Sequence, residues 1–348
     1  MIEPKKNVTE MDEYKPPTSG RKGLLRLDFN ENTVGPSPKV LEALRNLRDE
    51  DIASYPEYSK LRATLAGYLG KPVEQVLTTN ATDEAISVIM QTYVGKGDEV
   101  IIPMPTFAMF KFYAQVAAAK IIEVLYTQSF SFPTQKVLKK ISPKTKLVIL
   151  CNPNNPTGTS ITRKDIIAIL EKARNSIVMI DEAYNQFSGN SCLDLIDTYD
   201  NLIVTQTFSK AFGMGGLRLG YVVSNSANIA SIGKALSPYS VNCAAVAAGI
   251  AALGDKDYIT WYTKEIENGK RYVLEEFKKM KIKTVPSDAN FFLAKFGSKT
   301  KEVVALLREK AVLVRDRSSD PMLDGYIRIT IGTKNQMKQL VDALKNGK

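Results

Sequence analysis

From about residue 25 to about residue 235 the chain repeats one pattern: a short apolar run, an amphipathic stretch, then another apolar run. The runs are "EVIIP" (99–103), "KLVILCN" (146–152), "SIVMIDEA" (176–183), "NLIVTQTF" (201–208) and "LGYVVS" (219–224). They are apolar without alternation, so they read as strands buried on both faces. The intervening "TRKDIIAILEKARN" (162–175) places Ile166, Ile169, Leu170 and Ala173 on one helical face. Thr162 is its expected N-cap, with Asp165 in the first turn. Doubly buried strands alternating with helices predict an α/β fold: a mostly parallel sheet with helices on both faces.

After about residue 240 the pattern changes. A long amphipathic stretch, "DYITWYTKEIENGKRYVLEEFKKM" (257–280), precedes short strands at "ANFFLAKF" (289–296), "AVLVRDR" (311–317) and "YIRITIG" (326–332). Helical "TKEVVALLREK" (300–310) and "KNQMKQLVDALKN" (334–346) flank them, the composition of a small α+β domain. The 348 residues, 44% of them hydrophobic, suffice for a large and a small domain. The expected division is a loose N-terminal arm (1–28), a large ligand-binding domain (29–237) and a small C-terminal α+β domain (238–348). The region around "SPY" (237–239) reads as a rigid interdomain helix or a hinge rather than a flexible linker.

Absences narrow the chemistry. There is no histidine, which excludes histidine-based triads and most zinc and haem sites, so acid–base work falls to Lys, Tyr, Asp, Glu or a cofactor. Cys151, Cys192 and Cys243 are scattered and form no CxxC pair, so neither a disulfide framework nor a metal site is expected. The net charge of +10 would attract small anions or polyanions, and a lysine-rich solvated surface explains it equally. Basic clusters such as "KKMKIK" (278–283) carry no interleaved aromatics, so no nucleic-acid partner is expected. No run approaches the roughly 20 apolar residues of a membrane helix. The polar start "MIEPKKNVTEMDEYKPP" has no apolar signal core, so a cytoplasmic location is expected.

Open α/β sheets bind ligands at the carboxyl ends of their strands, so the residues there carry most weight. The strand at 146–152 runs into "NPNNPTG", a stiff turn that could also be a plain strand-to-helix connection. The next ends in "DEAY", where Asp181 is either a helix cap or a buried carboxylate needing a cation. The third ends in Thr207, Ser209 and Lys210, a place suited to a reactive amine or to an ordinary surface lysine. "TTNATDEAI" (78–86) reads as a turn entering a helix, whose free N–H groups suit an anion. Together these features ask for one ligand, with an aromatic ring, a phosphate, a protonatable ring nitrogen and an aldehyde: pyridoxal 5′-phosphate.

On these motifs, taken in order from "LRLDFNENTVGPSP" (25–38) to "IRITIGT" (327–333), the chain resembles the fold type I aminotransferases of the aspartate aminotransferase superfamily, and among them the histidinol-phosphate enzymes. The resemblance implies a seven-stranded, mostly parallel sheet in the large domain. It implies that Lys210 captures the cofactor's aldehyde, that Asp181 pairs with the ring nitrogen, and that Asn155 and Tyr184 hydrogen-bond the ring's phenolate oxygen. Phe107 would stack on the ring, where the family often has Tyr or Trp. Thr82, Asp83, Thr207, Ser209 and Arg218 would hold the phosphate. Tyr55 resembles the tyrosine that reaches the neighbouring subunit's phosphate, implying a homodimer with shared active sites. Arg328 would grip a substrate carboxylate or phosphate, Arg315 a substrate phosphate, and Asn30 belongs to the substrate-binding set.

The expected activity is ping-pong transamination between a small-molecule amino donor and a 2-oxo acid, best matched by L-histidinol phosphate and 2-oxoglutarate in histidine biosynthesis. An aromatic or aspartate-type aminotransferase and a threonine-phosphate decarboxylase-like enzyme use the same motifs. A cofactor-sensing regulator would need a DNA-binding module, for which the roughly 25 residues before the main domain leave no room. "GMGGLRLG" has its glycines misplaced for a dinucleotide fingerprint. For catalysis the pKa of Lys210 must fall from roughly 10.4. Aldehyde capture and nearby Arg218 are the expected causes.

Overall fold

The computed structural model describes residues 2–13 and 18–345. Its seven-stranded sheet runs in the order Val76–Thr79, Gly220–Ser224, Leu202–Thr207, Ile177–Asp181, Thr145–Cys151, Glu99–Met104, Lys120–Leu125. Gly220–Ser224 is antiparallel to both neighbours, and every other pairing is parallel. The expected α/β, mostly parallel sheet is therefore present. Each central strand divides its side chains between two cores. Val148, Leu150, Val178, Ile180, Leu202 and Val204 pack on one face with Ile166, Ile169 and Leu170 of helix Arg163–Lys172. Leu147, Ile149, Met179 and Ile203 pack on the other with Ala85, Ile86 and Ile89 of helix Ala81–Tyr93. The period of two along a strand is what sends alternate residues to opposite faces. Thr162 caps its helix as expected, accepting from the Asp165 N–H.

The C-terminal unit is a four-stranded antiparallel sheet in the order Arg315–Asp316, Tyr326–Thr330, Phe291–Lys295, Lys283–Thr284. It packs against Lys256–Lys279, Thr300–Glu309 and Lys334–Lys345 through Tyr262, Ile266, Phe277, Phe292, Ile329 and Leu340. The single strand expected at 311–317 is in fact two. Val312–Leu313 pairs in parallel with Leu25–Arg26, and Arg315–Asp316 returns to the small sheet. The Leu27 N–H then donates to Leu313 and the Leu27 carbonyl accepts from Thr330, so residues 25–27 are stitched to the small unit. The sequence of this segment reads as a loose arm because half of its strand lies some 290 positions away in the chain.

Two features shape the sheet's carboxyl edge. Helix Ala81–Tyr93 begins after Asn80 without a side-chain cap, and Ala81 has φ 61°. Gly220 lies directly behind that start: a β-carbon there would sit 2.7 Å from the Ala81 carbonyl carbon and 2.9 Å from the Thr82 nitrogen. Backbone cannot yield as a flexible side chain does. Gly220→Ala is expected to destabilise the fold by about 1–3 kcal/mol in chemical denaturation, the range for overpacking. Wild-type stability in that variant would show that the helix start has room to move.

Candidate active site

The carboxyl ends of the strands open onto a cavity of about 580 Å³. Thirteen of the residues singled out above line it: Asn30, Thr82, Asp83, Phe107, Asn155, Asp181, Tyr184, Thr207, Ser209, Lys210, Arg218, Arg315 and Arg328. Asp181 and Thr207 are the last residues of their strands, and Lys210 follows three residues after the second, so strand register delivers all three. Tyr55 is not among them. It is 78% exposed and packs on Tyr239, with ring centroids 4.4 Å apart, and it lines a separate hollow with Leu47, Glu50, Lys60, Val246 and Ile250.

At the centre, the Lys210 Nζ donates to the Phe29 carbonyl at 3.1 Å. Burial pushes its pKa down to about 8, with the Arg328 and Arg218 charges adding to the effect and Glu31 and Asp83 opposing it. Arg218, the neighbour expected to matter, is thus the lesser arginine. Asp181 is 2% exposed and its Oδ1 accepts the Ala183 N–H at 3.1 Å. Burial raises it to about 7, and among the described residues no lysine or arginine is ion-paired with it. A fully buried carboxylate without such a partner costs free energy when ionised.

A chain of polar contacts crosses the cavity wall. Arg328 donates to Asn155 Oδ1 and to the Asp28 carbonyl, both at 2.6 Å. Asn155 Nδ2 donates to the Tyr184 hydroxyl at 3.3 Å, and Asn30 Nδ2 donates to the same oxygen at 3.0 Å. With Asn155 Oδ1 committed to Arg328, its amide nitrogen must face Tyr184. Both lone pairs of the tyrosine oxygen are then occupied, which leaves its hydrogen to be donated into the cavity. Burial holds the Tyr184 pKa well above the ordinary tyrosine value, so that hydrogen stays in place.

At the far end, the uncapped first turn holding Thr82 and Asp83 faces Arg218, whose Nη2 meets Asp83 Oδ2 at 2.6 Å. Arg218 has φ 57° and is anchored through Nη1 to the Gly215 carbonyl. Thr207 donates to Ser209 Oγ at 2.9 Å and accepts the Ser209 N–H at 3.1 Å, drawing both hydroxyls to this end.

The sequence reading missed Arg21, Phe29, Glu31 and Arg317. Arg21 lies 4.1 Å over the Phe29 ring, grips Asp28 through Nε and Nη2, and reaches Glu31 at 2.7 Å. It thereby fixes the segment whose carbonyl orients Lys210. In the sequence it is one arginine in a polar stretch, and no spacing marks it.

Two outcomes test the electrostatics of the cofactor-free protein. Acylation of Lys210, followed by mass spectrometry, should rise with a midpoint near pH 8, and Arg328→Met should move the midpoint upward because a nearby positive charge is lost. A midpoint at the ordinary lysine value would contradict the burial argument. For Asp181 the folded pKa is raised above the unfolded one, so its stabilising contribution is present below about pH 4 and lost as pH rises through about 7. Asp181→Asn should therefore raise Tm at pH 8 and do so far less at pH 5.

Comparison with known proteins agrees with this geometry. The chain matches the aminotransferase class I and II family over residues 22–344. It is 34% identical to the histidinol-phosphate aminotransferase of Methanosarcina mazei, an alignment covering 99% of this chain and 96% of that one. It is 37% identical to the histidinol-phosphate aminotransferase of Thermoanaerobacter pseudethanolicus, with 92% of each covered. Among solved structures, the histidinol-phosphate aminotransferase of Sinorhizobium meliloti in complex with pyridoxal 5′-phosphate superposes with a TM-score of 0.90 at 25% identity, covering 98% of this chain and 96% of that one. With its fold, its cavity and these relatives in agreement, the chain belongs to the aminotransferase class I and II family.

Proposed function

We propose that this chain is a pyridoxal 5′-phosphate-dependent aminotransferase that moves an amino group from L-histidinol phosphate to 2-oxoglutarate. One observation carries the reading: a single cavity joins a buried carboxylate with no ion-paired cation among the described residues, an amine poised near neutrality and a helix start without a side-chain cap beside an arginine. Those features fit the cofactor group by group. Asp181 supplies the anion for a protonated ring nitrogen, and a cation there returns its pKa toward the ordinary range. The hydrogen of Tyr184 suits an anionic ring oxygen. The first turn at Thr82 and Asp83, with Thr207, Ser209 and Arg218, suits a phosphate. Phe107 offers an aromatic face, and Lys210 is the amine for the aldehyde.

When bound, the cofactor supplies the electron sink that acidifies the carbon bearing the donor's amine. Lys210 Nζ, partly neutral at physiological pH, accepts the proton from that carbon and returns it. Its hydrogen bond to the Phe29 carbonyl keeps the nitrogen in place. Arg328 and Arg315 receive the donor's phosphate, and Arg328 also receives a carboxylate of the 2-oxo acid, because one guanidinium fork fits either anion. Donor and acceptor share this cavity and this amine, so they react in turn, and ping-pong kinetics follow. The names of the relatives described above, at 34% and 37% identity over nearly the full chain, support the choice of donor.

The reading includes a homodimer with shared sites in a cytoplasmic pathway of histidine synthesis. Tyr55 lies outside its own cavity, and Ile52 and Tyr239 are 65% and 61% exposed, as suits residues covered by a second copy. Among the described residues no helix is long and apolar enough to cross a membrane, and no cluster of ligating side chains could hold a metal ion.

A donor screen followed by the bound cofactor's absorption tests the assignment. L-histidinol phosphate should change the spectrum and 2-oxoglutarate should restore it, with phenylalanine and aspartate at least about a hundredfold less efficient. A preference for phenylalanine or aspartate would replace the donor, and carbon dioxide release without any keto acid would replace the reaction. Lys210→Ala should still take up cofactor yet lose about 10²–10⁴-fold or more in kcat.

A further inference from the structure

The mouth of the cavity holds more positive charge than a carboxylate requires. Arg315, Arg317 and Arg328 all line it. Arg328 is largely committed to Asn155 and to the Asp28 carbonyl. Arg315 lies over the Phe29 ring, its carbon 5.9 Å from the centroid. Arg317 is 13% exposed and ion-paired with Asp320, which is 22% exposed, and its Nε is buried with no hydrogen-bond partner. Glu31, a carboxylate that lines the cavity with them, is engaged by Arg21, whereas Asp320 stands behind Arg317 outside the lining. Three arginines thus line the cavity together, and Arg317 carries its own counter-charge in Asp320.

The loop that carries Arg317 is firmly built. The Arg317 N–H donates to the Tyr326 carbonyl at 3.0 Å, and the Asp320 N–H donates to the Arg317 carbonyl at 2.9 Å. Asp316 Oδ1 accepts from the Ser318 N–H and hydroxyl at 2.8 and 2.6 Å. Burial raises the Asp320 pKa while Arg317, then Arg328 and Arg315, hold it down, so all three arginines bear on that carboxylate. An anion brought among these arginines would therefore compete with Asp320 for their charge.

We propose that Arg317 is a specificity-determining residue which, with Asp320 as its built-in counter-charge, tunes the cavity mouth for a phosphate monoester dianion over a carboxylate. This deepens the functional reading above and rests on it for the identity of the donor. A monocarboxylate is matched by one guanidinium fork, which Arg328 or Arg315 provides. A dianion with three acceptor oxygens has use for a further cation, and the unpartnered Nε of Arg317 is a donor in the right neighbourhood. Asp320 keeps that cation from being an unpaired buried charge when no anion is bound, and its competition sets how tightly the dianion is held.

The test uses the cofactor-loaded enzyme and two unreactive probes, propyl phosphate and the monocarboxylate butyrate, measured by isothermal titration. Removing Arg317 alone would expose the Asp320 charge, so the informative pair is Asp320→Asn and Arg317→Met/Asp320→Asn. Asp320→Asn should bind propyl phosphate severalfold more tightly than wild type. The double variant should bind it about tenfold more weakly than Asp320→Asn, with butyrate changing less than about threefold. Arg317→Lys, which keeps the charge and the partner of Asp320 but loses the fork, should fall between, and carries the test if the double variant fails to fold. Equal phosphate affinity in Asp320→Asn and the double variant, with only Tm lowered, would make the pair a loop staple and overturn the proposal. So would equal weakening of both probes, or a wild type that does not bind propyl phosphate. If Arg317-dependent phosphate binding appears while L-histidinol phosphate is not turned over, the donor assignment fails and this one stands.

Discussion

Burial of a sheet on both faces is the constraint from which the rest of this structure follows. In central strands such as Leu202–Thr207, buried at every residue, a polar side chain must find its partner inside, as Gln206 does with Glu182 and Tyr221. Their alternating side chains fill two separate apolar layers, each closed by helices. Polar chemistry is thereby driven to the strand ends, where parallel neighbours deliver Asp181 and Thr207 to one edge. The antiparallel strand Gly220–Ser224 brings Arg218, two residues before it, to the same edge from the opposite direction.

At that edge the protein keeps two ionisable groups away from their ordinary protonation behaviour, and one cause serves both. Burial disfavours charge, so it lowers the Lys210 amine and raises the Asp181 carboxyl. The two are therefore poised within reach of neutral pH in opposite senses, the condition under which an amine can act as base while a carboxylate awaits a cation. Neighbouring arginines add to the first effect, while Glu31, held by Arg21, and Asp83, held by Arg218, oppose it.

Legibility in the sequence was uneven, and the unevenness has a pattern. Features carried by one contiguous stretch were readable. The capped helix after Thr162 is set by a side chain and a backbone N–H three residues apart. Lys210, Asp181 and the turn at 152–158 could be placed because a strand's length and a ligand site at its carboxyl end are local facts. The split of 311–317 into two strands was not readable, because each half pairs with a different distant partner. Nor was the order in which burial, Arg328 and Arg218 act on Lys210, since that order depends on depth and distance.

The sequence by itself therefore determined the fold class and which side chains stand at the strand ends, because hydrophobic periodicity and strand-end position are properties of short windows. Tertiary structure alone decided which charges meet. Arg21 closes on Asp28 and Glu31, Arg328 orients Asn155 from 173 residues away, and Tyr55 is turned out of its own cavity. Coulomb and hydrogen-bond energies depend on separation in space and on burial, and a linear chain encodes neither until it is folded.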